Sequence, residues 1–459
     1  MNKETHERII NKLLSTGADF AEIYEEKSYK KSLNYLDSKL DKVHYEEIEG
    51  VGLRIAKGTE IYYGSINYND ISEVDTLVDE LISNINDKVI YKDIKLNDLE
   101  TYESNSIIPL DNYDENNIKK LFNEINDKIR SKDKRVSQVT LNMFTQSKDI
   151  TISNYHGIYR NEKREYAKVY IFITFNDGDY KSTSFYTWGI KGGYEMLDKN
   201  IDDKLDEMVK QGIEKLYAKN CVGKAMPVVI AHGQGAVIFH EACGHAMEAQ
   251  ATAKNQSVLS GKIGQKIASD KVTIVDDGRL DGYWGSTNID DEGNPTRENI
   301  VIENGILKKY FNDEINNRLL NMELTGSSRR ENFRFAPVSR MNNTFLKPGT
   351  DKIEDMIKSI DFGLYAVELG GGSVDPETGN FNFACDTAYM IRDGKIAEPV
   401  KGATLIGNTT EILNNVEMVS DDFEYDSGNC GSSSGWVHVT MGQPTIKVSS
   451  ILVGGDSND

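Results

Sequence analysis

The first half of the chain alternates between helical and extended patterns of hydrophobic residues. Apolar residues recur at intervals of three and four positions in four stretches, a spacing that is typical of amphipathic helices. Asp70 precedes the second stretch and, with Glu73, resembles a capping box. We therefore predict four helices in the first 220 residues, over residues 3–16, 74–85, 118–129 and 201–216.

Extended patterns fill most of the sequence between these helices. Val51 to Ala56 and Glu60 to Tyr63 flank a Lys57-Gly58 turn, which predicts a hairpin. From residue 135 to about 190, apolar and polar residues alternate in runs that are too long and regular for loops. These runs predict an extended antiparallel sheet with strands over 136–144, 149–154, 158–160, 166–175 and 181–187.

The second half is rich in short strands that are separated by turns. We predict a buried strand over 228–230, a turn over 233–235 and a helix over 236–250, with further helices near 312–320 and 351–360. A chain of 459 residues is too long for one ordinary core. The predicted fold class is α+β, with an N-terminal domain of extended antiparallel sheet with helices and a β-rich C-terminal domain. The predicted domains cover residues 1–220 and 221–459, and we expect the tail from 454 to be disordered.

The predicted helix over 236–250 contains His240, Glu241 and His245, which spell His-Glu-x-x-x-His. The zinc-protease signature is one residue shorter, and there both histidines face one metal while the glutamate takes a proton from water. At a spacing of five, a regular helix places the two rings about 140° apart. The motif therefore predicts a local π-bulge, which Gly244 makes less costly. The alternative is a chance motif whose histidines are ordinary core residues.

A third ligand is harder to find from the residues alone. Cys430 lies in a Gly/Ser-rich stretch that we expect to be a flexible turn, and a thiolate is a good zinc ligand. Spacing alone does not connect positions 245 and 430. Cys243 is interpreted as a small buried residue, with metal contact as the alternative. Glu248 follows His245 by three positions and either orients its imidazole or is a solvated glutamate.

Composition excludes several classes of function. The net charge of −20 opposes direct binding to nucleic acid or to an anionic membrane. The longest apolar runs are shorter than a membrane span requires, and the first residues lack a signal-peptide core, so we expect a cytoplasmic protein without a membrane partner. The four cysteines form no C-x-x-C pair and indicate no disulfide framework.

The motif and further landmarks in the second half resemble the TldD branch of the TldD/PmbA family of metallopeptidases. These landmarks run in the family's order over residues 225–459, with a weaker echo at 50–54. By this resemblance His240 and His245 are metal ligands, Cys430 is the third ligand and Glu241 is the catalytic carboxylate. The landmarks are Gly326-Ser327-Ser328-Arg329-Arg330-Glu331, Arg340-Met341-Asn342-Asn343-Thr344, 370–376, 402–408, the Cys430-Gly431 turn and Gly442-Gln443-Pro444.

The resemblance also implies a function. It implies a peptidase with one Zn²⁺ per active subunit, which hydrolyses unfolded or extended peptides through a metal-activated water. Residues 221–459 would be the metallopeptidase domain, and residues 1–220 would form the dimer and its enclosed cavity. The partner would be a homologous PmbA/TldE-like subunit or a second copy of the chain. The alternatives are a regulatory, gyrase-modulator-like binding protein without catalysis, and a structural zinc site with four protein ligands.

Overall fold

A computed structural model describes residues 1–68 and 70–455 of the chain. The four helices predicted in the first 220 residues are confirmed, and the Asp70 side chain caps the second by accepting from the Ser72 backbone N–H. The helices near 312–320 and 351–360 are also confirmed. The helices are α1 (Lys3–Leu13), α2 (Ile71–Ile82), α3 (Glu115–Lys132), α4 (Asp202–Leu216), α5 (Val237–Phe239), α6 (Ala249–Thr252), α7 (Glu314–Leu320), α8 (Ile353–Lys358) and α9 (Thr409–Asn414).

The first half of the chain builds one predominantly antiparallel sheet. Its strand order is β3-β2-β1-β5-β6-β4, with β7 also paired to β6, and the predicted hairpin is formed by β2 and β3. The short strand β4 runs parallel to β6. The strands are β1 (Phe20–Leu36), β2 (Lys39–Lys57), β3 (Glu60–Ile66), β4 (Glu100–Tyr102), β5 (Val136–Asn154), β6 (Tyr159–Asp177) and β7 (Tyr180–Lys191).

Two of these strands are longer than the sequence predicts. The strands expected at 136–144 and 149–154 are one strand, β5, and those expected at 158–160 and 166–175 are also one, β6. Polar residues that interrupt the alternation face a buried contact with the second half of the chain. Lys148 donates to the Glu331 carbonyl oxygen over 2.6 Å, and Arg164 pairs with Asp291 at 2.8 Å. A polar residue in a strand is therefore compatible with burial when a partner satisfies it.

The second half of the chain builds a larger sheet that closes on itself. Strands β21, β9, β16, β17 and β19 pair in a closed circuit, which forms a small barrel. The pair β13–β14 is separate. The strands are β8 (Lys219–Asn220), β9 (Lys224–Ile230), β10 (Ile274–Asp277), β11 (Glu298–Glu303), β12 (Ile306–Leu307), β13 (Ser328–Arg329), β14 (Val338–Ser339), β15 (Asn343–Leu346), β16 (Phe362–Val374), β17 (Asn380–Arg392), β18 (Lys395–Lys401), β19 (Thr404–Asn408), β20 (Val416–Ser432) and β21 (Gly435–Gly454).

The fold class is α+β, as predicted. The two sheets occupy separate parts of the chain, 20–191 and 219–454, but the domain boundary near residue 221 stays a prediction. The tail predicted to be disordered begins at 454, but Gly454 is the last residue of β21, so the prediction is wrong at that residue. Residues 456–459 of the predicted tail lie outside the described residues. The helices of the described residues all fall short of the length and apolarity that crossing a membrane demands.

Candidate metal centre

The segment that follows β9 is helical but not continuous. A 3-10 turn (Gly233–Ala236) leads into α5, a π-helical turn (His240–Gly244) and a second 3-10 turn (His245–Met247), and Glu248 is extended before α6 begins. The helix predicted over 236–250 is thus interrupted by the 3-10 turns and by Glu248, whereas the π-bulge predicted within it is confirmed. The backbone N–H of His245 donates to the carbonyl oxygen of His240, five residues earlier.

The π-turn brings the two histidines to the same face of the segment. Hydrogen bonds between residues five apart align positions i and i+5, which a regular helix separates. The ring centroids of His240 and His245 are 5.3 Å apart, and the ring planes meet at 83°. The extra residue in the motif is thus accommodated locally, as its spacing predicts.

The irregular turns leave backbone carbonyls free, and side chains from other elements satisfy them. The Thr409 hydroxyl, at the start of α9, donates to the Ala242 carbonyl oxygen. The Ser257 hydroxyl donates to the Ala246 carbonyl oxygen over 2.5 Å. A buried carbonyl without a partner is costly, so these hydroxyls stabilise a backbone path that a regular helix would not need.

Gly244 is required for a different reason from the one predicted. Its φ is −59°, which any residue adopts, so the turn itself does not demand glycine. A Cβ at this position would lie 1.9 Å from the Met341 sulfur. Gly244 therefore permits close packing of the π-turn against Met341, rather than an unusual backbone conformation.

Cys430 is held in a strand and not in the flexible turn that we expected. It lies near the end of β20, where it pairs with Val437 of β21, and Ser432 and Gly435 close the hairpin. Its side chain is buried among Val437 and Val439. The many glycines and serines around it predicted a turn, but their small side chains here belong to a paired hairpin.

The hairpin brings Cys430 to the two histidines. Its sulfur lies 3.1 Å from His245 Nε2, and one ligand atom from each of His240, His245 and Cys430 lies within 4.8 Å of the other two. Burial raises the pKa of the Cys430 thiol, but the neighbouring His240 and His245 outweigh it and lower the pKa to about 4. The thiolate is the form that binds metals.

Cys243 lies in the π-turn but outside this cluster. It is fully buried in the main hydrophobic core, and burial raises its pKa to about 12. Both features fit the interpretation as a small packed residue and not as a ligand. Cys221 and Cys385 are also buried and unpaired.

Two glutamates flank His245 on opposite sides of its ring. A Glu241 carboxylate oxygen lies 3.6 Å from Nε2, and the Glu241 side chain remains 23% exposed. A Glu248 carboxylate oxygen lies 3.2 Å from Nδ1. Burial lowers the pKa of His245, whereas Glu248 and Cys430 raise it, and the balance is well above the ordinary value. Glu248 is thus placed to orient the imidazole, while Glu241 faces the side where Cys430 lies.

Arg340 connects the two elements of the cluster, although we predicted no role for it from the sequence. Its side chain is fully buried, its Nε lies 3.4 Å from Glu248, and its Nη2 donates to the Cys430 carbonyl oxygen over 2.8 Å. Its Nη1 donates to the Ser434 hydroxyl and to the Gly435 carbonyl oxygen, each over 3.2 Å. Arg340 was a landmark of the resemblance, but nothing in its spacing showed which residues it contacts.

The residues of the cluster fit a bound metal ion. His240 is 2% exposed, and within the described residues neither of its ring nitrogens has a hydrogen-bond partner. A buried imidazole without partners is costly unless a ligand binds it. Two imidazoles and a thiolate are a donor set that suits zinc among the common metals.

A cleft of about 850 Å³ opens beside the cluster. Three elements surround it: the motif segment, the glycine-rich end of β16 and the hairpin of β20 and β21. Glu241 and His245 both line it, so the cluster is accessible to a molecule in the cleft. Other lining residues are Glu248, Gly371, Gly372, Ser373, Cys430 and Trp436.

Comparison with known proteins identifies the family. The PmbA/TldA metallopeptidase C-terminal domain matches residues 223–455, and domain 1 of the same family matches residues 21–85. The metalloprotease TldD homolog of Buchnera aphidicola is 36% identical over 336 residues, which cover 71% of this chain and 70% of that protein. The zinc metalloprotease TldD homolog of Saccharolobus solfataricus is 30% identical over 345 residues, which cover 72% and 76%.

A solved structure agrees with this assignment at the level of the fold. TldE from Thermococcus kodakarensis superposes with a TM-score of 0.77 and 20% identity, and the match covers 98% of this chain and 100% of that one. The sequence matches cover both halves of the chain and include the His-Glu-x-x-x-His segment and Cys430. The chain therefore belongs to the TldD/PmbA family of metallopeptidases.

Proposed function

We propose that the chain is a zinc peptidase in which His240, His245 and Cys430 hold the ion and Glu241 is the catalytic carboxylate. The observation that supports this most is the convergence of three donor atoms within 4.8 Å of one another beside a cleft. When bound, zinc acts as a Lewis acid and lowers the pKa of a water molecule toward about 7. His240, His245 and Cys430 would hold the ion with three protein ligands, the number that catalytic zinc sites use.

Glu241 would move the proton in this reaction. Its carboxylate lies 3.6 Å from His245 Nε2 and lines the cleft, so it is close to the ligands without belonging to the three. It would accept a proton from the attacking water and deliver it to the leaving nitrogen of the peptide. Glu248 and Arg340 would hold His245 and the Cys430 strand in position.

The cleft favours an extended peptide as substrate. Strand β16 pairs with β9 at residues 364–366, whereas its glycine-rich end, 370–374, pairs with β17 on one edge through residues 372–374. Within the described residues no strand covers the other edge of this end. Gly371 has no atom within 4 Å of where a Cβ would lie, and Gly371 to Ser373 are exposed. An extended substrate could therefore add to this edge by backbone hydrogen bonds, which requires an unfolded chain.

We further propose that the active form is a dimer with a homologous TldE-like subunit, or with a second copy of this chain. The similarity to TldE supports this choice, since the two folds match over nearly their whole lengths. In this arrangement residues 1–220 would build the dimer and the enclosed cavity, and residues 221–459 would be the peptidase domain. The four unpaired cysteines suit a reducing compartment, which supports the cytoplasm as the site of action.

The experiment that tests the function compares wild type with Glu241→Gln on an unstructured peptide, with and without the homologous subunit. The proposal predicts that both proteins bind one zinc per chain and that only wild type hydrolyses the peptide. Equal hydrolysis by Glu241→Gln would contradict the role of Glu241. If wild type binds zinc but hydrolyses no peptide, either alone or with its partner, the result would favour the alternative of a regulatory binding protein without catalysis.

A further inference from the structure

A cavity of about 420 Å³ lies between the two sheets, and the proposed reaction makes no use of it. Strand β7 and helix α4 line one side, and the loop after β9 and strands β16 and β20 line the other. The described residues that line it include none of those that line the metal cleft, so it is a separate site. We call it the aromatic cavity, after six side chains in its walls: Tyr186, Trp188, Tyr283, Trp284, Tyr365 and Tyr425.

The aromatic rings of the cavity suit a cation, and some of them already have one. Lys199 Nζ lies 5.7 Å from the centroid of the Tyr186 ring, and Lys204 Nζ lies 5.5 Å from it. Tyr283 and Tyr425 contact each other, with ring centroids 4.5 Å apart and ring planes at 61°. No cation from residues 1–68 or 70–455 lies over either of these two rings. They therefore remain able to form a cation–π contact with a bound molecule.

Carboxylates outnumber cations in the walls of the cavity. Lys204 is shared by two of them, at 2.8 Å from Glu207 and 3.8 Å from Glu368. His232 lies 3.4 Å from Glu424. A cavity that is lined by one sign of charge attracts ligands of the other sign. The carboxylates are Glu207, Asp281, Glu368, Glu424 and Asp426, against the ammonium groups of Lys199 and Lys204.

Asp426 has no ion pair in the part of the chain that the structure describes. Its carboxylate accepts from the backbone N–H of Ser427 over 2.8 Å. Burial raises the pKa of Asp426 to about 6, and Glu424 adds to this, although Lys168 and Lys204 act in the opposite direction. The surroundings thus still disfavour the ionised carboxylate, and a further cation beside it would stabilise that form.

Ser427 contributes a polar group that lacks a partner. It lines the cavity and is only 8% exposed, and among the described residues nothing forms a hydrogen bond with its hydroxyl. Lys168 donates to the Ser427 carbonyl oxygen over 2.6 Å and leaves the hydroxyl unsatisfied. A buried hydroxyl without a partner is costly, and the N–H of a bound ammonium group would satisfy it.

We propose that the aromatic cavity binds a small organic cation, with its ammonium group at Asp426 and Ser427 and its aromatic or apolar part against Tyr283 and Tyr425. The two features of the walls select this class together. Aromatic rings without an excess of carboxylates would suit a neutral apolar molecule, and carboxylates without rings would suit a metal ion. The volume lies within the usual range for sites of small molecules. This site goes beyond the proposed peptidase function and does not depend on it.

Isothermal titration of the full chain with three probes tests the proposal. Phenethylamine has both the charge and the ring, 2-phenylethanol has only the ring, and ethylamine has only the charge. We expect phenethylamine to bind about tenfold more tightly than either of the others, as one charge-assisted hydrogen bond or one cation–π contact provides. Equal binding of phenethylamine and 2-phenylethanol, or of phenethylamine and ethylamine, would overturn the proposal, as would no binding of phenethylamine.

The same titration with and without zinc separates this site from the metal centre. An amine can also bind to a metal ion, so binding of phenethylamine that requires zinc would overturn the proposal. Equal affinity for phenethylamine in the zinc-loaded and the metal-free protein is the expected result. It would stand whether or not the protein hydrolyses peptides.

Variants connect the binding to the cavity. In Asp426→Asn, phenethylamine and 2-phenylethanol should bind equally, and a retained preference for the amine would overturn the proposal. Because Asp426 lies in the strand of Cys430, Glu424→Gln provides a second variant on a side chain that is 54% exposed. We expect it to weaken phenethylamine binding about threefold through the lower negative potential. Glu354→Gln, at an exposed position in α8, is the control, and an equal loss in both variants would contradict the assignment to this cavity.

Discussion

Arg340 Nη2 donates to the carbonyl oxygen of Cys430 over 2.8 Å, from a side chain that is fully buried. The same guanidinium lies 3.4 Å from Glu248, which in turn lies 3.2 Å from His245. One residue thus links the strand of the thiol with the segment of the histidines. His245 and Cys430, which these contacts connect, are 185 residues apart in sequence.

We expect Arg340→Met to weaken zinc binding by about 10- to 100-fold, the range typical of residues that orient metal ligands. The substitution keeps most of the side-chain length but removes the contacts with Glu248 and Cys430. Competition with a chromophoric chelator would measure the affinity, alongside a thermal melt of the metal-free protein. Arg392→Met, at an exposed pair with Glu398, is the control and should leave affinity unchanged.

Gly244→Ala should destabilise the protein by about 1–3 kcal/mol, the usual cost of overpacking. The new methyl group would meet the Met341 sulfur at 1.9 Å. Urea denaturation would measure the free energy of unfolding, and Gly371→Ala is the control because its Cβ would meet no atom within 4 Å. If the clash is the cause, Met341→Ala should lower the free energy of unfolding by less in the Gly244→Ala background than in wild type. Additive effects of the two substitutions would contradict this explanation.

Thr409→Val should lower the free energy of unfolding by about 1–3 kcal/mol. The substitution keeps the side-chain shape but leaves the buried Ala242 carbonyl without its donor. Thr76 also donates to a helix carbonyl, that of Ser72, but at an exposed position. Thr76→Val is therefore the matched control and should change the free energy of unfolding by less than about 0.5 kcal/mol. Similar losses in both variants would show that the π-turn does not depend on Thr409.

The sequence predicted those features of the fold, such as the π-turn and helix α2, that depend on residues close together in the chain. The π-turn follows from a five-residue spacing between His240 and His245 that a regular helix cannot use. Helix α2 follows from its stripe and from the cap at Asp70. In both cases the residues that determine the structure are close together in the chain, so a pattern along the sequence contains the necessary information.

Long-range features could not be read from the same patterns. Lys148 interrupts an alternating run, and its distant partners, the Glu331 carbonyl oxygen and the Glu26 carboxylate, explain why the strand continues. Cys430 was connected with His245 by resemblance and not by spacing. Arg340 and Thr409 donate hydrogen bonds to backbone carbonyl oxygens. Every residue has such a carbonyl, so the sequence does not show which carbonyl a side chain contacts. The barrel depends on β19 pairing with two distant strands, and no local signal specifies that closure.

Stability should depend on pH through Glu368, which is 6% exposed and lies 3.8 Å from Lys204. Burial raises the pKa of its carboxyl above the ordinary value. The folded state therefore holds the proton more tightly than the unfolded state, and stability falls as pH rises from about 4.3 through the folded-state pKa. Glu368→Gln should be more stable than wild type at pH 8, and the difference should shrink toward pH 4.

Urea denaturation at several pH values would measure this difference, with Glu354→Gln at an exposed position as the control. If the difference in free energy of unfolding between Glu368→Gln and wild type stays constant from pH 4 to pH 8, Glu368 has the same pKa in the folded and unfolded states, which would contradict the prediction. A wild type that is more stable than the variant at pH 8 would show that Lys204 outweighs the burial of Glu368.

X-ray absorption of the zinc-loaded protein tests the metal centre most directly. The proposed site predicts one sulfur donor, two imidazole nitrogens and one further light donor that is not from the protein, and Cys430→Ser should remove the sulfur signal. A spectrum without sulfur in wild type, or with a fourth donor from the protein, would contradict an open zinc site made by His240, His245 and Cys430.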